Sequence, residues 1–476
     1  MDLKLYTCEE VSDYINGTII IWNYNKLIGS FSSVFEGLIE NSLFFLYDKS
    51  FSEEKLISIL VRAKASGVVF EKGLYSFSLN KWAKAGLGVI EVDYINDAFM
   101  RMASLYTLNA NIPIVQVIGS SGKTTTKEML GSILRYNMPT AVGADNLNTS
   151  MGIAGHISFL RNYHRAAVYE AGMNGPGVMR LSTSIINPTI GIITSIHRAH
   201  LFKFGGSIDT IIAAKSEMLE YLAEGGYLII NGEDENCKKV PVDSYNGNVL
   251  TFGFSDKCDI WASNIETDNF RTKFTANTKN MHIRCTINTI GKYNVANALA
   301  AIMAATIIGV KGEKIVKGLS TFTPYTSRLE MSKGIFNTTV INDNFNANPD
   351  STRMLIEEIP DICKGRPTIM VIGDMENPND DNRIYARKVH FEIGELVGRL
   401  KVQYLFAIGK WAGQYANGAL SSGMDYGKVF YFKNVEQAKD EIMKSIIPNS
   451  VIIFKSSFTY VDLTPLIDMV TAEEVE

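Results

Sequence analysis

Residues 113–130 read PIVQVIGSSGKTTTKEML, and the order of residue types in that stretch decides the architecture. An apolar, β-branched run (113–118) feeds a glycine turn, and the turn opens a helical pattern. Backbone N–H groups in such a turn, at a helix N-terminus, cradle phosphate oxygens. The candidate cradle is Gly119, Ser120, Ser121, Gly122, Lys123, Thr124 and Thr125. Lys123 is placed to reach the terminal phosphates, and the Thr124 hydroxyl to serve a Mg²⁺ ion. Gly119 lies three residues before Gly122, so the loop is GxxGKT, shorter than the common GxxxxGK(S/T) form. A plain glycine turn with a surface lysine uses the same letters but does not require strand, turn and helix in this order. The stretch therefore implies a nucleoside-triphosphate site on an α/β sheet.

Working outward, the alternation recurs on both sides. RAAVYEA (165–171), TIGIITSI (189–196) and GYLIING (226–232) read as further strands separated by helical stretches, the pattern of a parallel sheet flanked by helices. NVLTFGF (248–254) and MHIRCTI (281–287) read as an antiparallel addition, followed by an Ala-rich helix, NVANALAAIMAATIIG (294–309). After a break at FTPYTSR (322–328) a second alternating set begins: TTVINDNF (338–345), PTIMVIGDM (367–375), VQYLFAIG (402–409), KVFYF (428–432) and SVIIFKS (450–456). Ahead of the loop, SLFFLYD (42–48) and GVVFEKG (67–73) read as strands around the helix EEKLISILVRAKAS (53–66). The expected fold is α/β in three domains. A small mixed α/β domain (1–108) precedes a central P-loop domain (109–322), and a C-terminal Rossmann-like domain (323–476) follows.

Bulk composition narrows the function. A net charge of −4 argues against nucleic acid or an anionic membrane surface as partner, so anionic small molecules need local basic residues. No apolar run is long enough to span a bilayer, and MDLKLYTCEEVSDYI carries charges where a signal peptide needs an apolar core. Five cysteines without a CxxC pair fit a reduced, cytoplasmic compartment. A monomer is expected.

Ligands of open α/β sheets sit beyond the carboxyl ends of the strands, where the unusual polar residues of the central set fall. Glu170 closes an apolar strand; beside a phosphate loop it is the oxygen donor Mg²⁺ takes, although a solvent-exposed strand-end carboxylate reads the same way. His200 follows the next strand, but a lone imidazole is not diagnostic of a metal, and His197 stands nearby. Lys215 falls on the apolar stripe of SIDTIIAAKSEMLEYL (207–222), with Ile208, Ile211, Ile212, Met218, Leu219 and Leu222. Two readings stay open for it: a lysine that snorkels to the rim, or one whose ammonium or carbamate belongs to the site. NDNFNANPDS (342–351), at a strand end in the last set, reads as a turn or a binding loop. Arg328 has the fork geometry of a phosphate clamp.

GSSGKTTTKEM, NLNTSMGIAG (146–155), YEAGMN, AHLFKFGG (199–206), AAKSEML (213–219), NGEDE (231–235), GKYNVANALAA (291–301), SRLE and NDNFNANPDS occur in the order seen in Mur ligases. Over roughly residues 110–400 the chain resembles that family, most of all the members that add D-alanyl-D-alanine to the UDP-linked muramoyl tripeptide. The resemblance implies an ATP-dependent ligase acting through an acyl phosphate in peptidoglycan precursor synthesis, on a UDP-muramoyl-peptide-like acid and an amino acid or dipeptide amine. It implies ATP and two Mg²⁺ ions: Lys123 on the β/γ-phosphates, Thr124 and Glu170 on one ion, and His200 on the second. Lys215 matches a lysine that family members carbamylate, and Asn294 and Asn297 a pair near the adenine. Arg328, Asp343, Asn346 and Asn348 meet the nucleotide when the last domain closes. Of these, Lys123, His200, Lys215 and Asp343 are the implied catalytic residues. There are three departures from the family pattern. GSFSSVFEG (29–37) and ENSLFFLYD (40–48) lack the Ser-Arg and Gly-Asp-Leu-Phe segments that grip the UDP-sugar. Tyr293 opens the family's His-Asn-Val-X-Asn motif, and KSSF (455–458) stands for Lys-Gly-Ser-Arg. A continuation, GDMENPND (373–380), also differs. A ligase for another acid and amine, or a non-catalytic ATP- or precursor-binding relative, are the alternatives.

Overall fold

The structure is a computed structural model that describes residues 4–471 apart from 49, 76–77, 145–146, 198–203, 205, 269, 326, 377–382 and 401. Among these the strands form three sheets. The first contains β1 (Gly17–Ile21), β2 (Ser30–Ser32), β3 (Ser42–Phe45), β4 (Gly67–Glu71) and β5 (Gly88–Val92). Their order is β1-β5-β4-β3-β2, parallel except for the edge strand β1. The second contains β6 (Ile114–Ile118), β7 (Thr140–Val142), β8 (Ala166–Glu170), β9 (Ile190–Ile193) and β10 (Tyr227–Asn231). It continues through β11 (Asn248–Gly253), β12 (Ile260–Asp268), β13 (Arg271–Asn277) and β14 (His282–Ile287), in the order β14-β13-β12-β11-β10-β9-β6-β8-β7. The third contains β15 (Glu330–Lys333), β16 (Thr339–Phe345), β17 (Thr368–Ile372), β18 (Tyr404–Ile408), β19 (Val429–Phe432) and β20 (Val451–Ser457). Its order is β15-β16-β20-β17-β18-β19, with only β15 antiparallel.

The central strand β6 is buried along its whole length, as an apolar run covered on both faces must be. Its sheet neighbours are β8 on one side and β9 on the other, and the strands that follow it in the chain lie on both sides, so a crevice opens at its carboxyl end. One expectation is corrected. NVLTFGF was expected to be antiparallel, but β11 runs parallel to β10, Tyr227 opposite Asn248. The connection 232–247 is long enough for the crossover a parallel pair needs. The antiparallel part begins only with β12, β13 and β14. The stripe helix also ends early: regular helix runs Ile208–Ser216, and a 3₁₀ turn, Glu217–Glu220, completes it.

The three sheets are joined in two ways. Between the first and second lies one continuous apolar core, in which Phe99, Met102 and Tyr106 of the helix Ile95–Leu108 pack with Ile153, Met179 and Ile186. Polar groups seal it: Thr107 Oγ1 donates to Ile185 O at 2.7 Å, and Asn187 Nδ2 to Thr107 Oγ1 at 3.0 Å. The third sheet has its own two cores, with Ile290 and Tyr293 reaching into one of them. Its main polar tie is Glu358, whose carboxylate accepts Lys292 N at 2.8 Å and Tyr293 N at 3.3 Å. Those N–H groups open the buried Ala-rich helix Lys292–Ile307. Gly291, at φ 99°, makes the approach possible, since a Cβ there would lie 2.8 Å from Glu358 Oε2. Among the described residues no helix is long and apolar enough to cross a membrane.

Candidate active site

The glycine turn forms as read. Gly119 (φ 151°) and Gly122 (φ 79°) bend the chain from β6 into the helix Lys123–Asn137. A Cβ at Gly119 would lie 1.9 Å from Thr194 Oγ1, and one at Gly122 2.3 Å from Asn297 Oδ1. Both positions therefore require glycine. The end of β9 holds the loop from below: Ser195 Oγ accepts Ser121 N at 3.1 Å, and His197 N donates to Ser120 Oγ at 2.8 Å. Asp234, after β10, accepts Ile196 N, Asn236 N and Cys237 N at 2.9, 2.8 and 3.1 Å, which fixes that edge. Its carboxylate lies 3.9 Å from His197 Nδ1.

The loop floors a cavity of about 950 Å³ that opens between the second and third sheets. The seven loop residues, Glu170, Lys215, Asn294, Asn297, Arg328, Asp343, Asn346 and Asn348 all line it. Residues scattered over 230 positions of sequence thus meet in one space. His200 lies outside the described residues, and His197 lines the cavity. Lys215 is 3% exposed, so it does not snorkel to a rim. Burial, reinforced by the charge of Lys123, pushes its ammonium down to about 7. Lys123 donates to Gly119 O at 3.1 Å and is also pushed down, by burial first, with Glu170 opposing. Burial lowers Arg328 too, while Glu170 and Asp343 pull it back up. The Arg328 guanidinium stacks over Phe345 at 4.5 Å.

Glu170 is 5% exposed. Its Oε1 accepts Asn148 Nδ2 at 2.8 Å, whereas its Oε2 is buried with no hydrogen-bond partner among the described residues. A buried carboxylate oxygen left unpaired is costly unless a cation or donor fills the space. Thr124, 2% exposed, lines the same cavity. These oxygens fit a hard divalent cation. Asn294 and Asn297 are largely spent on structure: Asn294 Nδ2 donates to Ile290 O at 2.7 Å, and Asn297 Nδ2 to Asn294 Oδ1 at 3.2 Å. Asn348 caps the helix Pro349–Glu357 by accepting Ser351 N at 2.9 Å.

Lys455 and Asn148 are cavity residues that sequence reasoning left unassigned. Lys455 is buried and ion-paired with Asp343, its register partner on the neighbouring parallel strand. A basic and an acidic residue closing two apolar strands was the available signal. KSSF was read only for the arginine it lacks. In the first sheet, the serines of the departing stretches bond inward. Ser30 and Ser42 share a hydrogen bond of 2.6 Å, Ser32 Oγ donates to Val34 O at 2.7 Å, and Arg161 of the central unit donates to Gly37 O at 3.0 Å.

Comparison with known proteins follows the same division. Residues 117–305 match the Mur ligase middle domain, and residues 327–458 the Mur ligase, glutamate ligase domain. A UDP-N-acetylmuramoyl-tripeptide–D-alanyl-D-alanine ligase of Buchnera aphidicola is 28% identical over 92% of this chain and 91% of its own length. The ligase of the same name from Bacillus subtilis is 26% identical over 95% of each. Among solved structures, MurF from Acinetobacter baumannii superposes with a TM-score of 0.78 at 24% identity, covering 98% of this chain and 99% of that one. MurF ligase from Thermotoga maritima in complex with ADP gives 0.72 at 19% identity, covering 92% and 96%.

Proposed function

The chain belongs to the Mur ligase family, and from that premise we propose that it uses ATP to join D-alanyl-D-alanine to UDP-N-acetylmuramoyl-tripeptide. The observation that carries the reading is the single cavity in which the phosphate loop, Glu170, Lys215, Arg328 and the loop 342–351 meet. A carboxylate oxygen of the acid attacks the γ-phosphorus and the bond to ADP breaks. The dipeptide amine then attacks the acyl carbon and phosphate leaves. The barrier in both steps is phosphoryl and oxyanion charge, so catalysis is positioning and electrostatic stabilisation.

The N–H groups of residues 119–125 cradle the phosphates, Lys123 holds their outer oxygens, and Arg328 reaches them from the third sheet. Thr124 and Glu170 would hold one Mg²⁺, and His200 and Lys215 would serve a second. Bound there, Mg²⁺ would neutralise phosphoryl charge. An amine depressed to about 7 is about half uncharged at neutral pH, and the uncharged form takes up CO₂, which supports Lys215 as a carbamate. Asp343, Asn346 and Asn348 would meet the nucleotide, with Asn294 and Asn297 near the adenine. Three domains divide near residues 108 and 322, and the protein acts as a cytoplasmic monomer.

A second reading, a Mur-type ligase for another acid and amine, is favoured by one observation. The stretch 29–37 carries no arginine, and hydroxyls of Ser30 and Ser32 are already spent inside the fold. The test is phosphate release from ATP and Mg²⁺ with UDP-muramoyl-tripeptide, with and without D-alanyl-D-alanine, with the product weighed by mass spectrometry. Release that needs both substrates and yields the pentapeptide supports the first reading. ATP binding without turnover of this pair moves the assignment to another acid and amine.

A further inference from the structure

Asn148 lies at the start of the helix Ser150–Ile157, with its side chain under the end of β8. Its backbone carbonyl accepts Gly172 N at 2.9 Å, and the next residue, Thr149, caps the helix by accepting Gly152 N at 3.2 Å. The side chain is held as tightly. A Cβ at Gly172 would lie 2.7 Å from Asn148 Oδ1, so the amide has one place to sit and Gly172 leaves it open. From that place Nδ2 donates to Glu170 Oε1 at 2.8 Å. The amide thereby occupies one carboxylate oxygen, and the other, Oε2, is left buried with no hydrogen-bond partner among the described residues, while Glu170 and Thr124 both line the cavity.

We propose that Asn148 is a positioning residue for the cation site: it pins Glu170 in the rotamer that presents Oε2 to a divalent ion. The inference rests on the metal reading given under Proposed function. An amide is suited to the task because it donates to a carboxylate without competing for the cation. Partners that orient a ligating carboxylate typically set metal affinity by 10- to 100-fold. Gly172 belongs to the same device, since alanine there displaces the Asn148 amide without touching the carboxylate.

Mn²⁺, followed by electron paramagnetic resonance, is titrated into the full chain with a non-hydrolysable ATP analogue present. Asn148→Ala and Gly172→Ala should each raise the Mn²⁺ dissociation constant by about tenfold or more. Melting temperatures in metal-free buffer show whether each variant is folded. Glu170→Ala should lose the tight site altogether. Wild-type Mn²⁺ affinity in folded Asn148→Ala and Gly172→Ala, with the site lost in Glu170→Ala, overturns the positioning role alone. Wild-type affinity in Glu170→Ala as well overturns the metal reading, and this inference with it.

Discussion

The first and third sheets attach to the central one by opposite means. The first shares an apolar core with it, threaded by the helix Ile95–Leu108. The third keeps its own cores and leans on the central sheet through a carboxylate at a helix N-terminus, Glu358 on Lys292 and Tyr293. A fused apolar junction cannot part without exposing its core to water, so it behaves as one body. A junction tied by a few hydrogen bonds can part, because water replaces them at small net loss. The cavity lies at the second junction, between the phosphate loop and the loop 342–351. An enzyme that must admit three substrates and then exclude water needs its movable joint there.

The largest effect should follow from breaking the fused junction. Met102 is fully buried in the shared core, and Met102→Ala leaves a cavity in it. The expected loss is about 2–5 kcal/mol. Urea unfolding should show the first and second sheets destabilised together. Loss confined to the first sheet would mean that the core is not shared in energy as it is in space.

Next comes the movable joint. Glu358→Ala removes a carboxylate from the N-terminus of the helix Lys292–Ile307, an interaction of about 1–2 kcal/mol when partly buried. Most of that should appear as an easier opening, raising KM for ATP by up to about tenfold and enlarging the nucleotide-bound particle in X-ray scattering. Unchanged KM and scattering would mean that the apolar contacts of Ile290 and Tyr293 hold the joint by themselves.

The fused body also carries the pH response, through Lys215. Its ordinary value is 10.5 and its value in the fold about 7, so the folded chain binds this proton less tightly than the unfolded one. Stability should therefore fall as pH is lowered from about 10.5 to about 7 and level off below, where both states are protonated. Lys215→Met should flatten that window in urea titrations at successive pH values. An unchanged slope would show that the lysine is hydrated or partnered in solution.

The legibility of the sequence followed the same division. Around β6 the backbone itself forms the site, so the letters are constrained locally: glycines at 119 and 122, an apolar strand before them, a helix after. Residues 113–130 could be read one by one. β12 and β13 were missed because one face is solvated and residues such as Asn264, Glu266 and Lys273 interrupt the apolar signal. Long-range partners leave no local trace. Nothing near Glu358 says that it faces Lys292, and nothing in NLNTS says that Asn148 meets Glu170. Lys215 is the intermediate case: helical spacing placed it on a buried stripe, but only the fold shows that the stripe ends in the cavity.

The smallest expected effect separates two explanations of the movable joint. Besides the two backbone bonds, Lys292 Nζ and Asp361 Oδ2 form an ion pair across it at 3.3 Å. Their side chains are 60% and 70% exposed, so the pair is screened by water and salt and contributes at most about 1 kcal/mol. The Glu358 carboxylate instead meets main-chain N–H groups that no side-chain change at position 292 removes. Lys292→Ala should thus leave both KM for ATP and urea stability within about 0.5 kcal/mol of the parent. If it matched Glu358→Ala in loosening the joint, the tie would be charge against charge across the surface, and raising salt should then weaken the parent to the same degree. If Lys292→Ala stays silent while Glu358→Ala does not, the joint is held by the carboxylate at the helix end, and salt should change it little.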